Sequence, residues 1–337
     1  MIIDCHGHFT TAPKALQAWR QRQLDGPAPL GEPLPISDDE LREALEGKQL
    51  QMQRERGLDL TLLSPIAGQM GHHLGTLAHS IEWSRVANDL IHRVTQLYPR
   101  NFAGVCQLPQ SPGADVSACV TELERCVTEL GFVGCNLNPD VSGGYWQSPP
   151  MTDRHYYPLY EKMVELDVPA MIHVSGSCNP GVHHTGAHYL NGDTTVFMQF
   201  IVNPQLFKDF PTLRFVIPHG GGAVPYHWGR YRGFSLEMNR VELEEGLLDH
   251  VYFDTCVYHQ PGVDLLTSVV PHRNILFGSE MIGAVKGADP RTGHHFDDTK
   301  RYVDRCGLCA EHKQAVFQNN ALKVYPRLRP ILDALTA

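Results

Sequence analysis

Eight short apolar runs, nearly all followed by a helix-like segment, dominate this sequence of 337 residues. The runs occupy 1–5, 58–64, 102–108, 132–137, 168–174, 213–219, 251–255 and 275–279. Helices are expected at about 37–57, 80–98, 115–130, 157–166, 195–207 and 260–270, with another opened by Gly220-Gly221-Gly222 and more from 297 onward. Ser37 and Glu40 have the spacing of a capping box. Alternating βα units imply a parallel sheet with helices outside. Eight of them suit a (β/α)8 barrel of the TIM type, which takes about 250 residues plus insertions. A doubly wound open sheet is the alternative, but no G-x-G-x-x-G follows the first strand. The chain reads as one domain over 1–337. The Pro- and Gly-rich stretch at about 11–37 is an insertion or lid, and a long loop is expected at 175–193.

The formal net charge is −9, with no basic footprint for nucleic acid or an anionic membrane. No apolar run approaches the ~18 residues of a membrane span. The nine cysteines are scattered, several of them in apolar strands, where a free thiol acts as a small hydrophobe. No signal peptide is evident, so the chain reads as cytoplasmic, with its thiols reduced. Cys306-x-x-Cys309 is a lone pair without a second pair nearby, a weak metal motif. Histidine is the unusual count: 19, against 28 Lys plus Arg.

In such a barrel, active-site groups sit at the C-terminal ends of the strands. Strand one ends in His6-Gly7-His8, whose imidazoles point the same way at a period of two. Strand five carries His173, strand six ends at His219, and strand eight leads into Glu280. Three neutral imidazoles with a carboxylate or water form a divalent-metal environment. Each residue alone has an ordinary structural explanation: His173 a core histidine, His219 the end of a strand before a glycine turn, Glu280 a helix cap. Their convergence on one barrel mouth points instead to a shared site.

These motifs, HGH, a histidine on strand five, PHGGG after strand six and FGSE on strand eight, resemble the amidohydrolase superfamily. The likeness is to its branch of mononuclear decarboxylases and hydratases and covers nearly the whole chain. It implies His6, His8 and His173 as ligands of one Zn2+ per chain, with Mn2+ or another divalent ion as the alternative, and His219 as a catalytic neighbour. Two departures stand out. The branch usually ends strand eight with FGSD or FGTD followed by an aromatic residue and proline; this chain has Gly278-Ser279-Glu280-Met281-Ile282-Gly283. Strand four ends Asn136-Leu137-Asn138, without the lysine that binuclear members carbamylate, so a bridged two-metal hydrolase is not expected. The run from Ser279 to Asp304 is most similar to a hydratase of that branch that acts in the degradation of aromatic compounds.

That resemblance implies a hydro-lyase adding water to a conjugated oxo-tricarboxylate, a small-molecule substrate. Glu280 then ligates the metal, takes a proton from water, or both. His219 orients or protonates the substrate. Tyr189 is the candidate acid for carbon, with His184 and His188 as competitors. The carboxylates need cations, and arginine pairs with them bidentately. Arg291 is the best placed by sequence. Arg230, Arg232, His72, His73, Asn138 and Asn191 are further candidates for substrate contact. A metal-dependent decarboxylase of an aromatic acid and a lactone or amide hydrolase are the competing readings. A homo-oligomer is compatible with the sequence, which does not specify one.

Overall fold

The computed structural model describes residues 1–26 and 29–336. Eight parallel strands lie in sequence order in one sheet: β1 (Ile3–His8), β2 (Leu60–Ser64), β3 (Phe102–Gln107), β4 (Gly134–Leu137), β5 (Ala170–Ile172), β6 (Phe215–Ile217), β7 (Val251–Asp254) and β8 (Ile275–Leu276). The sheet curls until its edges meet. Cys5 donates its backbone N–H to the Phe277 carbonyl at 2.9 Å, and Glu280 donates to the His6 carbonyl at 2.8 Å. Strand residues are buried on both faces, as a sheet covered by helices outside and filled inside requires. This is the (β/α)8 barrel expected from the alternation.

Side chains alternate between two apolar bodies. Inward residues, among them Ile3, Leu60, Ala103, Met171, Val216 and Tyr252, fill the barrel's lower interior. Outward residues such as Leu63, Phe102, Leu137, Ile172, Phe215 and Phe253 pack under the helices. The lower end is plugged by the segment after the last strand: Ala321, Val324, Tyr325 and Leu328 join the interior cluster. Gly134 makes room for this plug, since a Cβ there would lie 2.9 Å from the Tyr325 ring.

Three local features differ from the sequence reading. The stretch at 11–37 holds a helix, Lys14–Asp25, though residues 27–28 lie outside the described part. The loop expected at 175–193 is helical from Thr185 onward, as part of Thr185–Val202. Gly186, Asn191, Gly192, Asp193 and Thr194 are weak helix formers and hide this helix from a propensity reading. His184 supplies its N-terminal cap, accepting the Gly186 N–H on Nδ1 at 3.0 Å. The glycine triplet forms a tight turn, and the helix that follows begins at Trp228. The capping box at Ser37 and Glu40 is present as expected.

Candidate active site

β1 carries the first two histidines into the mouth by a bulge. Asp4 pairs with Thr61 but Gly7 with Leu63, so β1 spends three steps where β2 spends two. Ile3 and Cys5 face the interior below the bulge. The slip turns His6 and His8 to the same interior above it, as bulges near active sites commonly do. His6 Nε2 and His8 Nε2 lie 3.1 Å apart. The rings of His6, His173 and His219 approach within 5.1–5.3 Å of one another, and His8 lies 5.1 Å from His173.

Each ring is held through Nδ1. His6 Nδ1 donates to Asp254 Oδ2 at 2.6 Å, and His219 Nδ1 to Asp193 Oδ2 at 2.8 Å. His173 Nδ1 donates to the Val174 carbonyl at 2.9 Å, and His8 Nδ1 meets Ser64 Oγ at 2.7 Å. Ser64 Oγ can spend its own hydrogen on the carbonyl of Gly7 or Pro65, leaving its lone pair for His8. With the Nδ1 hydrogens so placed, the Nε2 lone pairs of neutral rings face one another. The Nε2 atoms of His173 and His219 are buried and have no hydrogen-bond partner among the described residues. Burial and the neighbouring rings push His8 and His173 well below the usual histidine range, towards the neutral form a metal requires. The converging nitrogens of His6, His8 and His173, each ring oriented from behind by an acceptor, fit a divalent ion.

Glu280 completes the arrangement. Donor atoms of His6, His173, His219 and Glu280 lie within 4.8 Å of one another. This quartet has His219 in the place where the sequence reading had His8, whose Nε2 lies beside that of His6. Glu280 Oε2 accepts from the Tyr258 hydroxyl at 3.0 Å and lies 3.8 Å from His219 Nε2. His219 and Glu280 both have positive φ, 52° and 48°, where non-glycine residues are uncommon. Burial opposes the charged form of His219, but the carboxylates of Asp193, Glu280 and Asp254 outweigh it and push it up to about 9. Tyr189 stacks on His219 with ring planes 4° apart. Burial and then Glu280 push its phenol up, so it remains a protonated acid.

Above this group lies a cavity of about 710 Å³, lined by His8, His173, Tyr189, His219, Tyr258 and Glu280 together with His184 and Lys286. Lys286 is the one Lys or Arg among the described lining residues. The sequence reading missed it, although it stands six residues after Glu280 in the run that carries the resemblance. It also missed Asp254, which the rule of strand ends would have found at the end of β7, and Asp193, hidden by the unrecognised helix.

The other expected substrate contacts fall elsewhere. Arg291, Arg230, Arg232 and Asn191 are exposed and do not line the catalytic cavity. Arg232 pairs with Glu242 on the surface at 2.5 Å. His72 is buried, with Nε2 3.1 Å from the Leu108 carbonyl and Nδ1 2.9 Å from Asn138 Nδ2. Asn138 also reaches Ser175 Oγ, so both side chains brace the loops. His188 is buried against Asp140 and the Ser175 carbonyl. His73 lies under the Lys14–Asp25 helix, in a cavity beside the catalytic one. The nine cysteines are free thiols.

A family model described as amidohydrolase matches residues 3–327. The chain belongs to the amidohydrolase family. It is 57% identical over 338 residues to a 2-keto-4-carboxy-3-hexenedioate hydratase from Sphingobium sp., covering 99% of this chain and 98% of that one. It superimposes with a TM-score of 0.91 on 4-oxalomesaconate hydratase from Rhodopseudomonas palustris, at 56% identity, covering 100% of this chain and 99% of the other. A dihydroxybenzoic acid decarboxylase from Polaromonas sp. with bound manganese shares the fold, with a TM-score of 0.70 and 19% identity over 97% of each chain. No helix of the described residues is long and apolar enough to cross a membrane.

Proposed function

We propose that this amidohydrolase is a metal-dependent hydro-lyase that adds water to 4-oxalomesaconate, giving 4-carboxy-4-hydroxy-2-oxoadipate in the 4,5-cleavage degradation of gallate and protocatechuate. The observation that carries this reading is full-length likeness to two hydratases. Glu280 at the histidine cluster supplies a base suited to the reaction. Zn2+ held by His6, His8, His173 and Glu280 is the proposed cofactor, with Mn2+ as the alternative. The chemistry such an ion supplies is acidification of water, to a pKa of about 7.

The residues supply the proton movements. The reacting form is 2-keto-4-carboxy-3-hexenedioate, the tautomer of 4-oxalomesaconate that gives the Sphingobium hydratase its name; its C3–C4 double bond is conjugated with the C2 ketone, so C4 is electrophilic. Glu280 takes a proton from the attacking water as its oxygen bonds to C4. Tyr189 delivers a proton to C3, and His219 steadies the negative charge that grows on the ketone oxygen. Lys286 meets one substrate carboxylate. Buried donors aimed at developing charge are the strongest electrostatic contribution an active site makes.

Purified protein incubated with 4-oxalomesaconate should bleach the conjugated chromophore without releasing CO2. Carbon dioxide appearing in step with turnover would replace the hydratase reading with a decarboxylase. Elemental analysis should find close to one divalent ion per chain, and His6→Ala and His173→Ala should each lose it.

A further inference from the structure

A second cavity, of about 240 Å³, lies between the Lys14–Asp25 helix and the loop after β2. Gly68, Gln69 and Thr185 line both this cavity and the catalytic one, so the two adjoin. The backbone of Gly68 lies against Tyr189: a Cβ there would come within 2.4 Å of the phenol oxygen.

Arg20 enters the second cavity from the helix. Its side chain is buried, with its guanidinium 4.9 Å from the centre of the Trp83 ring. Nη1 donates to the Gln69 carbonyl at 2.5 Å. Nε and Nη2 are buried and have no hydrogen-bond partner among the described residues. These two atoms form one edge of the guanidinium, the edge that grips both oxygens of a carboxylate side-on. Burial lowers Arg20 to about 10, and no carboxylate among the described residues opposes it, so it is still charged at neutral pH. A buried cation without a counter-charge is costly. His73 Nδ1, lining the same cavity, is also buried without a partner. Arg20 and His73, each with buried nitrogens that lack a hydrogen-bond partner among the described residues, thus both line one small cavity beside the substrate cavity.

We propose that Arg20 and His73 form a carboxylate subsite that holds the arm of the substrate farthest from the metal centre. This rests on the reading of the substrate as a tricarboxylate. It assigns the arginine sought by sequence in the loops after β6 and β8 to the helix inserted after β1. The free edge of Arg20 takes both oxygens of the carboxylate, and His73 donates to one of them from Nδ1.

The test uses the metal-loaded enzyme and propane-1,2,3-tricarboxylate, a saturated analogue that cannot be hydrated. Calorimetry should show the analogue binding the wild type, and binding to Arg20→Met should be roughly 10- to 100-fold weaker, the range for charged hydrogen bonds. Arg20→Lys keeps the charge but lacks the fork and should also bind more weakly. It carries the test if the Met variant does not fold. With 4-oxalomesaconate, the loss should fall on KM rather than on kcat. Ligand-free Arg20→Met should melt no lower than wild type, because an unpaired buried charge has been removed. Unchanged KM and unchanged analogue affinity in a folded variant would overturn the subsite while leaving the hydratase intact. Analogue binding that depends on Arg20, in a protein that does not hydrate 4-oxalomesaconate, would sustain the subsite and overturn the substrate reading.

Discussion

At the lower end of the barrel Tyr325 fills the space between the strands; at the upper end four imidazoles fill it. The lower filling is apolar, contributed by a segment whose only demand is space, which Gly134 provides. The upper filling is polar, and nearly every hydrogen bond there is spent on orientation: Asp254 on His6, Ser64 on His8, Asp193 on His219. Backbone at positive φ is concentrated around the upper end too, at His219, Tyr258, Glu280 and Ile282. The two ends divide the work. One excludes water to hold the barrel together; the other keeps buried lone pairs unpaired so that a cation and a substrate can use them.

The sharpest test of that division is Glu280→Gln. The amide keeps the size and can still accept from Tyr258, but removes the base. Stopped assays should show kcat and kcat/KM falling together by ~10²–10⁴-fold, with the melting temperature little changed. Tyr325→Ala should do the reverse. Removing a buried ring and leaving a cavity costs roughly 3–5 kcal/mol in denaturant titration, while molecules still folded keep their kcat. A Tyr325 variant with normal stability and reduced kcat would break the comparison.

Smaller effects sharpen it. Asp254→Asn leaves His6 in place but weakens the acceptor behind it. Metal affinity should fall roughly 10- to 100-fold by competition with a chelator. The last prediction concerns the upper rim, where Asp140 accepts from His188, Ser142 and Gly144. Burial alone would raise this carboxyl, but the hydrogen bonds to His188, Ser142, Gly144 and Trp146 outweigh it and hold it at about 2. A carboxyl held below its unfolded value of about 3.9 adds stability above that pH and loses it as pH falls towards the folded value. The gap in melting temperature between wild type and Asp140→Asn should therefore be full at pH 5 and close between about pH 4 and pH 2. A gap that stays constant over that window would show that Asp140 acts by shape alone.

Much of the site was legible because it lies on strand ends. His6, His8, His173 and His219 sit at the C-terminal limits of apolar runs, and parallel strands in a closed barrel bring such positions together whatever the loops do. Asp254 obeys the same rule. The substrate-side residues were harder. Tyr189, read from the sequence as the acid for carbon, stacks on His219, but it was assigned to a loop because Gly186, Asn191 and Gly192 disguise its helix. Arg291, Arg230 and Arg232 were chosen for proximity in sequence to strand ends, yet loops and outer helices carry such residues to the surface as readily as to the mouth. Arg20 carried no signal at all, since nothing in a Pro- and Gly-rich insertion says which way its helix will face.

The amino-acid sequence by itself determined the barrel and the histidine set, through local pattern: period, strand length and the residue at each strand's end survive any arrangement of the helices. Tertiary structure alone decided what stands behind and around those residues. The β1 bulge turns His6 and His8 into the mouth only because β2 pairs across it. Asp254 reaches His6 across 248 residues of chain, and Asp193 reaches His219 across 26. Arg20 Nε and Nη2 are left without a hydrogen-bond partner among the described residues only after a helix folds over the loop that follows β2. Which polar atoms remain unpaired is a property of the whole packing, because every element that arrives can supply the missing partner, and no window of sequence contains them all.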